Sequence, residues 1–479
     1  MKTRHIHMTN RQKMMLILLL GAQFMLSVDF SILNVALPDV GRALHFSLTN
    51  LQWISTTFSL MAAGLTLFFG RVADLFGRRQ FFLASMILLG VGSLLGGLAT
   101  NAAMLLLART LQGIATAMVT PVAFALLTTS FEEGALRDRA LGLNGALLSA
   151  GFTVGSILGG VLTSLFSWRW AFFINVPVAF FIALFTPRYI REIRTQRIGH
   201  IDGAGALTVT IGLLSLVYGV TSFGQTGLRQ PTTVISLVSA LLALGAFWVL
   251  ESKSRRPLLA LRVLMQPTVK WGSVSTLTIL AMETSMVFLT TLYLQKVLGL
   301  QPALTGAAFG VLGLTAFAAG IIMPKYINRF GSRRFLTIGL VGQGLTTLLL
   351  ALTQTGRGWL WFVLVVSALN GFLHMMALVS SMVTATSGLN NSDEGSASSI
   401  ISMMQLTGIS LGIPLMSAVL TARTNVLTTL SAKYAFLYGY HDAILVDGAI
   451  AVGVGLLVAF CLRLTSRTSS PTLVAEELE

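Results

Sequence analysis

The chain has 479 residues, of which 54% are hydrophobic and 10% charged, with a mean hydropathy of +0.80. A soluble globular chain carries about 25% charged residues, so the composition excludes a soluble domain, with or without a signal peptide in front of it. One cysteine, Cys461, excludes an intramolecular disulfide, and the net charge of +15 does not mark a nucleic-acid binder, because the basic residues lie in short loops between apolar stretches.

A helix needs roughly 20 mostly apolar residues to cross a bilayer core. That criterion predicts spans near 14–37, 51–70, 80–99, 102–126, 140–165, 169–187, 203–222 and 233–250. Six more follow near 270–294, 304–324, 334–353, 358–386, 398–420 and 442–463. The expected fold is all-α and polytopic, with fourteen transmembrane helices. Placing the N-terminus in the cytoplasm and alternating sides puts 24 of the 32 Lys and Arg residues on the cytoplasmic side. Seven fall outside (Arg42, Arg169, Arg229, Lys296, Arg357, Arg423 and Lys433), and Arg109 lies within a span. A wrong span count would scramble this asymmetry beyond the error, so the positive-inside rule supports the count and puts both termini in the cytoplasm.

Residues 188–269 carry basic cytoplasmic stretches around two uncharged spans joined by a short loop with Arg229. The expected organisation is an N-terminal six-helix bundle over 1–187, this central pair over 188–269, a C-terminal six-helix bundle over 270–463 and a cytoplasmic tail over 464–479. The outer segments are weakly self-similar. Gly70-Arg-Val-Ala-Asp74-Leu-Phe-Gly77-Arg78-Arg79 follows the second span, and Pro324-Lys-Tyr-Ile-Asn328-Arg-Phe-Gly331-Ser-Arg333-Arg334 holds the matching place later. Repeated membrane halves are a transporter signature, with the binding site near the midplane between them.

Charges inside the hydrocarbon point to function, because each costs about 2.5–3.5 kcal/mol even on insertion scales. Asp29, Arg109 and Glu283 stand in the first, fourth and ninth spans. At 1.5 Å per residue, Asp29 lies roughly 12 Å and Arg109 roughly 10 Å from the outer ends of their spans, so the two can pair. Glu283 lies near the midplane, with no basic partner in any span. Burial favours a neutral carboxyl and a neighbouring guanidinium favours the charged form, a balance suited to proton exchange. The alternative for Asp29 and Arg109 is a fixed pair that only holds helices together. Asp447, near the outer end of the last span, reads as a solvated interfacial carboxylate. Asn370, His374 and Gln405 are candidates for a pocket, although His374 reads first as a satisfied interhelical histidine. Gly151, Gly155 and Gly159, at four-residue spacing, form a small-residue face for close helix contact.

Four stretches carry a family resemblance. Gly70, Asp74, Gly77, Arg78 and Arg79 fit a loop motif between the second and third helices. Leu107-Ala-Arg109-Thr-Leu-Gln112-Gly113 fits a fourth-helix motif, and Val28-Asp29-Phe-Ser-Ile-Leu-Asn34-Val-Ala-Leu-Pro38 a first-helix motif. Trp168-Arg-Trp-Ala-Phe-Phe-Ile-Asn175-Val-Pro177 fits the opening of a sixth helix. With these the chain resembles the fourteen-span drug:proton antiporter family of the major facilitator superfamily over nearly its whole length. The resemblance implies a proton-coupled exporter of amphipathic, cationic compounds in the bacterial inner membrane. Asp29, Glu283 and Arg109 would serve proton coupling and substrate, Asn34, Gln112 and Gly113 would support them, and the residues of the Gly70–Arg79 loop would form a conformational latch. One departure is Ser156, which follows Gly155 where the family pattern has proline.

No Walker-type phosphate loop is present, so an ion gradient rather than ATP is the expected drive, with no cofactor, no metal and a functional monomer. The expected partners are small-molecule substrates, protons and the bilayer. A carrier for one amino acid, sugar or siderophore on the same fold is the first rival. A membrane-embedded enzyme is a remote one, since no clustered His/Glu/Asp motif appears.

Overall fold

Long helices follow one another with little between them in the computed structural model, which describes residues 8–131, 135–192, 203–254, 261–387, 389, 391–427 and 429–468. They are α1 (Asn10–Ala43), α2 (Trp53–Phe76), α3 (Arg78–Gly97), α4 (Ala102–Ser130), α5 (Ala135–Leu165), α6 (Asn175–Tyr189) and α7 (Gly203–Thr226). The second set is α8 (Pro231–Lys253), α9 (Pro267–Leu292), α10 (Pro302–Phe330), α11 (Ser332–Leu349), α12 (Trp359–Thr386), α13 (Asn391–Val426) and α14 (Ala432–Thr468). No strand occurs among the described residues. Among the described residues twelve helices, taken with their short continuations, are long and apolar enough to cross a membrane. Beside them, α2 with 24 residues and α5 with 31 stand where the second and fifth spans are expected.

Local chemistry sets the helix ends. Thr9 and Gln12 form a capping box at the start of α1, and Asn101 caps α4 through its side chain. Proline opens α8, α9 and α10, where its missing N–H leaves no bond unmade. Gly77 (φ +110°) divides α2 from α3 and Gly331 (φ +91°) divides α10 from α11. Both glycines belong to the two self-similar loop motifs, so the repeat is present in backbone conformation as well as in sequence.

The apolar cores are distributed unevenly. One buried cluster joins the later part of α1 (Met25 to Val40) to Met286–Leu294 of α9 and its continuation, and to Phe309, Ile413, Tyr440 and Ile444. It therefore spans both halves at the end of the bundle opposite the start of α1 and the close of α14. At the other end the halves keep separate cores. One gathers Met15–Leu26 with Phe82, Leu126 and Ile190, and another gathers Ile279, Leu336, Ala377 and Leu462. Polar contacts follow the same division, since Gln295 donates to the Val35 carbonyl at 2.8 Å and the Ala303 amide to Ser164 Oγ at 2.9 Å.

The glycine face on α5 lies against α1. A Cβ at Gly151, Gly155 or Gly159 would collide with the backbone of α1 at Phe24, Val28 and Ile32. Gly408 and Gly412 of α13 meet Leu277 and Ala281 of α9 in the same manner. Ser156 leaves α5 continuous, with its hydroxyl bonded to the Phe152 carbonyl at 3.0 Å. The central helix α7 touches the rest through Thr210, which donates to the Gly64 carbonyl at 2.6 Å, and through Gly224 against Ala418.

Candidate functional site

α1 and α4 bring Asp29 and Arg109 together at matching depth. Arg109 Nη1 lies 3.0 Å from Asp29 Oδ2, and each residue is 1% exposed. Arg109 also donates from Nε to the Ile54 carbonyl at 3.1 Å and from Nη1 to Gln112 Oε1 at 2.9 Å. Its guanidinium lies over the Phe58 ring, 4.2 Å from the centre, which adds cation–π attraction in a desolvated place. Gln112 Nε2 donates to Asp29 Oδ1 at 3.0 Å and to Ser93 Oγ at 2.9 Å. Asn175 Nδ2 donates to the same Asp29 oxygen and to Ser93 Oγ, the latter at 3.2 Å. Three donors thus hold one carboxylate, each from a side chain that a helix fixes in place. Such a pair is bound tightly enough that removing one partner strands a buried charge, at a cost of about 3–5 kcal/mol.

Gln112 was expected here; Ser93 and Phe58 were not. Asn175 stood in the quoted Trp168–Pro177 motif without an assigned role, and its place at the start of α6 aims it at Asp29. Asn34 is buried on α1, and among the described residues no hydrogen bond joins it to this network. Gly113 packs against the Phe58 carbonyl of α2 and so lets α4 approach closely enough for Arg109 to reach Ile54.

A second polar centre surrounds Glu283 of α9, which is 6% exposed. Gln343 Nε2 of α11 lies 3.3 Å from Glu283 Oε2, and His374 Nδ1 of α12 lies 3.4 Å from the same oxygen. The sequence reading left Glu283 without a basic partner; the structure gives it an imidazole, a cation only when protonated. Asn370 lies next to this centre and donates to Thr346 Oγ1 at 3.0 Å, Thr347 Oγ1 at 3.1 Å and the Gln343 carbonyl at 3.2 Å. Gln405 is half-buried on α13, and among the described residues no hydrogen bond ties it to either centre.

Asp447 departs from expectation. It is fully buried, and the Ser285 hydroxyl donates to its Oδ1. The reason is the length of α14, which begins at Ala432 rather than near 442, because Phe436, Leu437 and Tyr440 pack inward and extend the helix. That start places Asp447 roughly 20 Å along the helix axis.

The loop between α2 and α3 has an acidic partner that the motif does not contain. Glu192, just after α6, accepts from the Arg79 amide at 3.3 Å and lies 3.7 Å from Arg79 Nε. Its carboxylate sits against Gly77, where a Cβ would come within 2.7 Å of Oε1. Gly70 packs on Pro121 and Arg78 is half-buried, while the Asp74 side chain lies outside the described residues. Away from both centres, a cavity of about 610 Å³ lined by Asp39, Arg42, Thr163, Ser164, Trp168 and Gln301 opens at the far ends of α1 and α5. No group of His, Cys, Asp and Glu able to hold a metal ion occurs among the described residues.

Comparison with known proteins agrees with this architecture. The family model described as Major Facilitator Superfamily matches residues 19–413, and a second, overlapping match covers 273–477. The chain is 34% identical to the puromycin resistance protein pur8 of Streptomyces alboniger, over 96% of this chain and 92% of that one. It is 33% identical to the cephamycin export protein CmcT of Amycolatopsis lactamdurans, over 88% of each. Among solved structures, the POT family transporter PepTSo superposes with a TM-score of 0.71 at 14% identity, covering 95% of this chain and 99% of that one.

Proposed function

The chain belongs to the Major Facilitator Superfamily, transporters rather than enzymes, and on that premise we propose that it is a proton-coupled multidrug exporter of the bacterial inner membrane. It exchanges amphipathic cations for protons by alternating access. The observation that carries the reading is a pair of acids buried at mid-depth in separate halves, Asp29 and Glu283, each beside groups that respond to its charge. A buried carboxylate attracts either a proton or an organic cation, and competition between the two couples their opposite movements. Arg109, Gln112 and Asn175 donate to the Asp29 carboxyl, so a proton or an organic cation must displace these contacts to bind there. The export and resistance activities of the named relatives support an outward direction.

Six helices on either side of α7 and α8, crossing fourteen times with both termini in the cytoplasm, form the machine in this reading. The shared core at the end away from the termini then closes the outer side, while the separate cores leave the cytoplasmic side free to admit substrate. The Arg79–Glu192 contact ties α3 to the segment after α6 within the N-terminal half, a latch that holds the cytoplasmic helix ends of that half together as it rocks.

Proteoliposomes with an imposed pH gradient and ethidium as substrate test the reading. Asp29→Asn and Glu283→Gln are each expected to abolish gradient-driven transport while the protein stays folded. Normal pumping by both variants would sink it.

A further inference from the structure

We propose that Asp447 of α14 is a second proton-carrying carboxyl that works with Glu283 as one unit, so that the carrier loads protons at two centres, one in each half. The inference rests on the exporter reading and extends it.

The internal repeat supplies the first argument. Gly113 of α4 lies against the Phe58 carbonyl of α2, and Gly371 of α12 lies against the Leu312 carbonyl of α10. These matching contacts align Gln112 with Asn370, the residue before each glycine. Gln112 donates to Ser93 of α3, and Asn370 donates to Thr347 of α11, so the amide–hydroxyl pair is kept in both halves. Counting back along the helices, the place of Arg109 is taken by Ser367, which is buried. The second half has kept the polar layer and lost its guanidinium.

The second argument is the inventory of charge around α9. Among the described residues α9 packs against α1, whose Asp29 is already paired with Arg109, and against α11, α12, α13 and α14, whose apolar stretches bring His374 and Asp447 besides the weak acids Tyr440 and Cys461. Asp447 is bonded to Ser285, two residues from Glu283, and lies within range of the Glu283 charge. Two carboxylates and one imidazole therefore share a region with no permanent cation. Both acids cannot stay ionised there, since burying an unpaired charge is prohibitive and like charges repel.

Hydrogen bonding gives the third argument. Among the described residues, Glu283 Oε1, Asp447 Oδ2, Gln343 Oε1 and Asn370 Oδ1 are buried acceptors without a donor. Both oxygens of Asp29 are met, by contrast, by side-chain donors. A carboxyl that takes a proton turns one acceptor into a donor, which is the chemistry that an acceptor-rich set lacks. A purely structural Asp447 would be expected with both oxygens satisfied.

Infrared difference spectra of the full chain in liposomes, taken between acid and alkaline buffer, read the C=O stretch of protonated buried carboxyls without any substrate. Wild type is expected to show separate bands for Asp447 and Glu283. Asp447→Asn removes one band and shifts the other, and Glu283→Gln does the reverse. Unchanged bands in Asp447→Asn overturn the proposal. Ser285→Ala keeps both carboxyls and guards against misfolding of the first variant; it is expected to shift the Asp447 band, and an unshifted band also counts against the pairing. Ethidium efflux driven by a pH gradient is measured in the same liposomes. Failure of wild-type efflux with the bands intact refutes the exporter reading and leaves the acid pair standing.

Discussion

Arg109 and Asp29 form an ion pair 3.0 Å long that also anchors a fifth helix, because Arg109 donates to the Ile54 carbonyl on α2. Asp29, Gln112, Ser93 and Asn175 add α1, α4, α3 and α6. The network is therefore a brace between five helices as well as the proposed site. Arg109→Ala is expected to lose transport and to lower stability by about 3–5 kcal/mol, since it leaves the buried Asp29 carboxyl without its ion-pair partner. Adding Asp29→Asn to that variant should recover part of the stability and none of the transport. Thermal unfolding in detergent beside a transport assay checks this; independent, additive effects of the two substitutions would contradict it.

The glycine faces give a sharper test of packing. A methyl group at Gly155 meets the α1 backbone at Val28, and one at Gly412 meets α9 at Ala281. Backbone cannot move aside as a side chain does, so Gly155→Ala and Gly412→Ala are each expected to destabilise by about 1–3 kcal/mol. Gly453→Ala, where nothing lies within 4 Å, is the control and is expected to leave melting unchanged.

How much of this was legible follows from how rare each signal is in an apolar chain. Asp29, Arg109 and Glu283 stood out because ionisable residues in spans are expensive and few, and equal depth paired the first two. Ser93, Asn175 and Phe58 did not, because neutral polar and aromatic side chains are common in membrane helices and only the packing selects the ones that meet a charge. Asp447 was misplaced because hydropathy marks the apolar stretch, whereas α14 begins ten residues earlier in a mixed aromatic segment. Glu192 was hidden in a basic run, where one acid among arginines reads as solvated surface.

The Arg79–Glu192 contact is partly exposed, with side chains 34% and 16% accessible, so its effect is expected to be modest. Glu192→Gln should change transport rates less than about fivefold, in keeping with an ion pair worth up to ~1 kcal/mol. Gly77→Ala should do far more, since it strains a backbone at φ +110° and drives a methyl group into the same carboxylate. Equal effects of the two substitutions would remove the latch as an explanation and leave only backbone strain.

Membrane crossings are checked by the sidedness of Arg229, in the turn between α7 and α8. Fourteen spans put it outside. Arg229→Cys in a Cys461→Ser background is expected to react with a membrane-impermeant maleimide in intact cells. Reaction only after the cells are opened would remove the central pair from the membrane, or invert the chain.

The seam between α5 and α10 makes alternating access directly testable. The Ala303 N–H, at the start of α10, has no helical acceptor and instead donates to Ser164 Oγ near the close of α5. Just below, a Cβ at Gly306 would strike the α5 backbone at Ser156. Opening the far side must therefore pull these helices apart, along with the shared core behind them. Cysteines at Ser164 and Ala303, in a Cys461→Ser background, are expected to form a disulfide on oxidation and to stop transport completely, with recovery on reduction. A ligand can shift a conformational equilibrium only by its differential affinity for the two states, and no substrate gradient of ordinary size outweighs a covalent bond. Binding of ethidium from the cytoplasmic side is expected to survive the lock. Undiminished transport by the oxidised protein would mean that the seam stays closed throughout the cycle, and the substrate path would then have to avoid the interface between the halves.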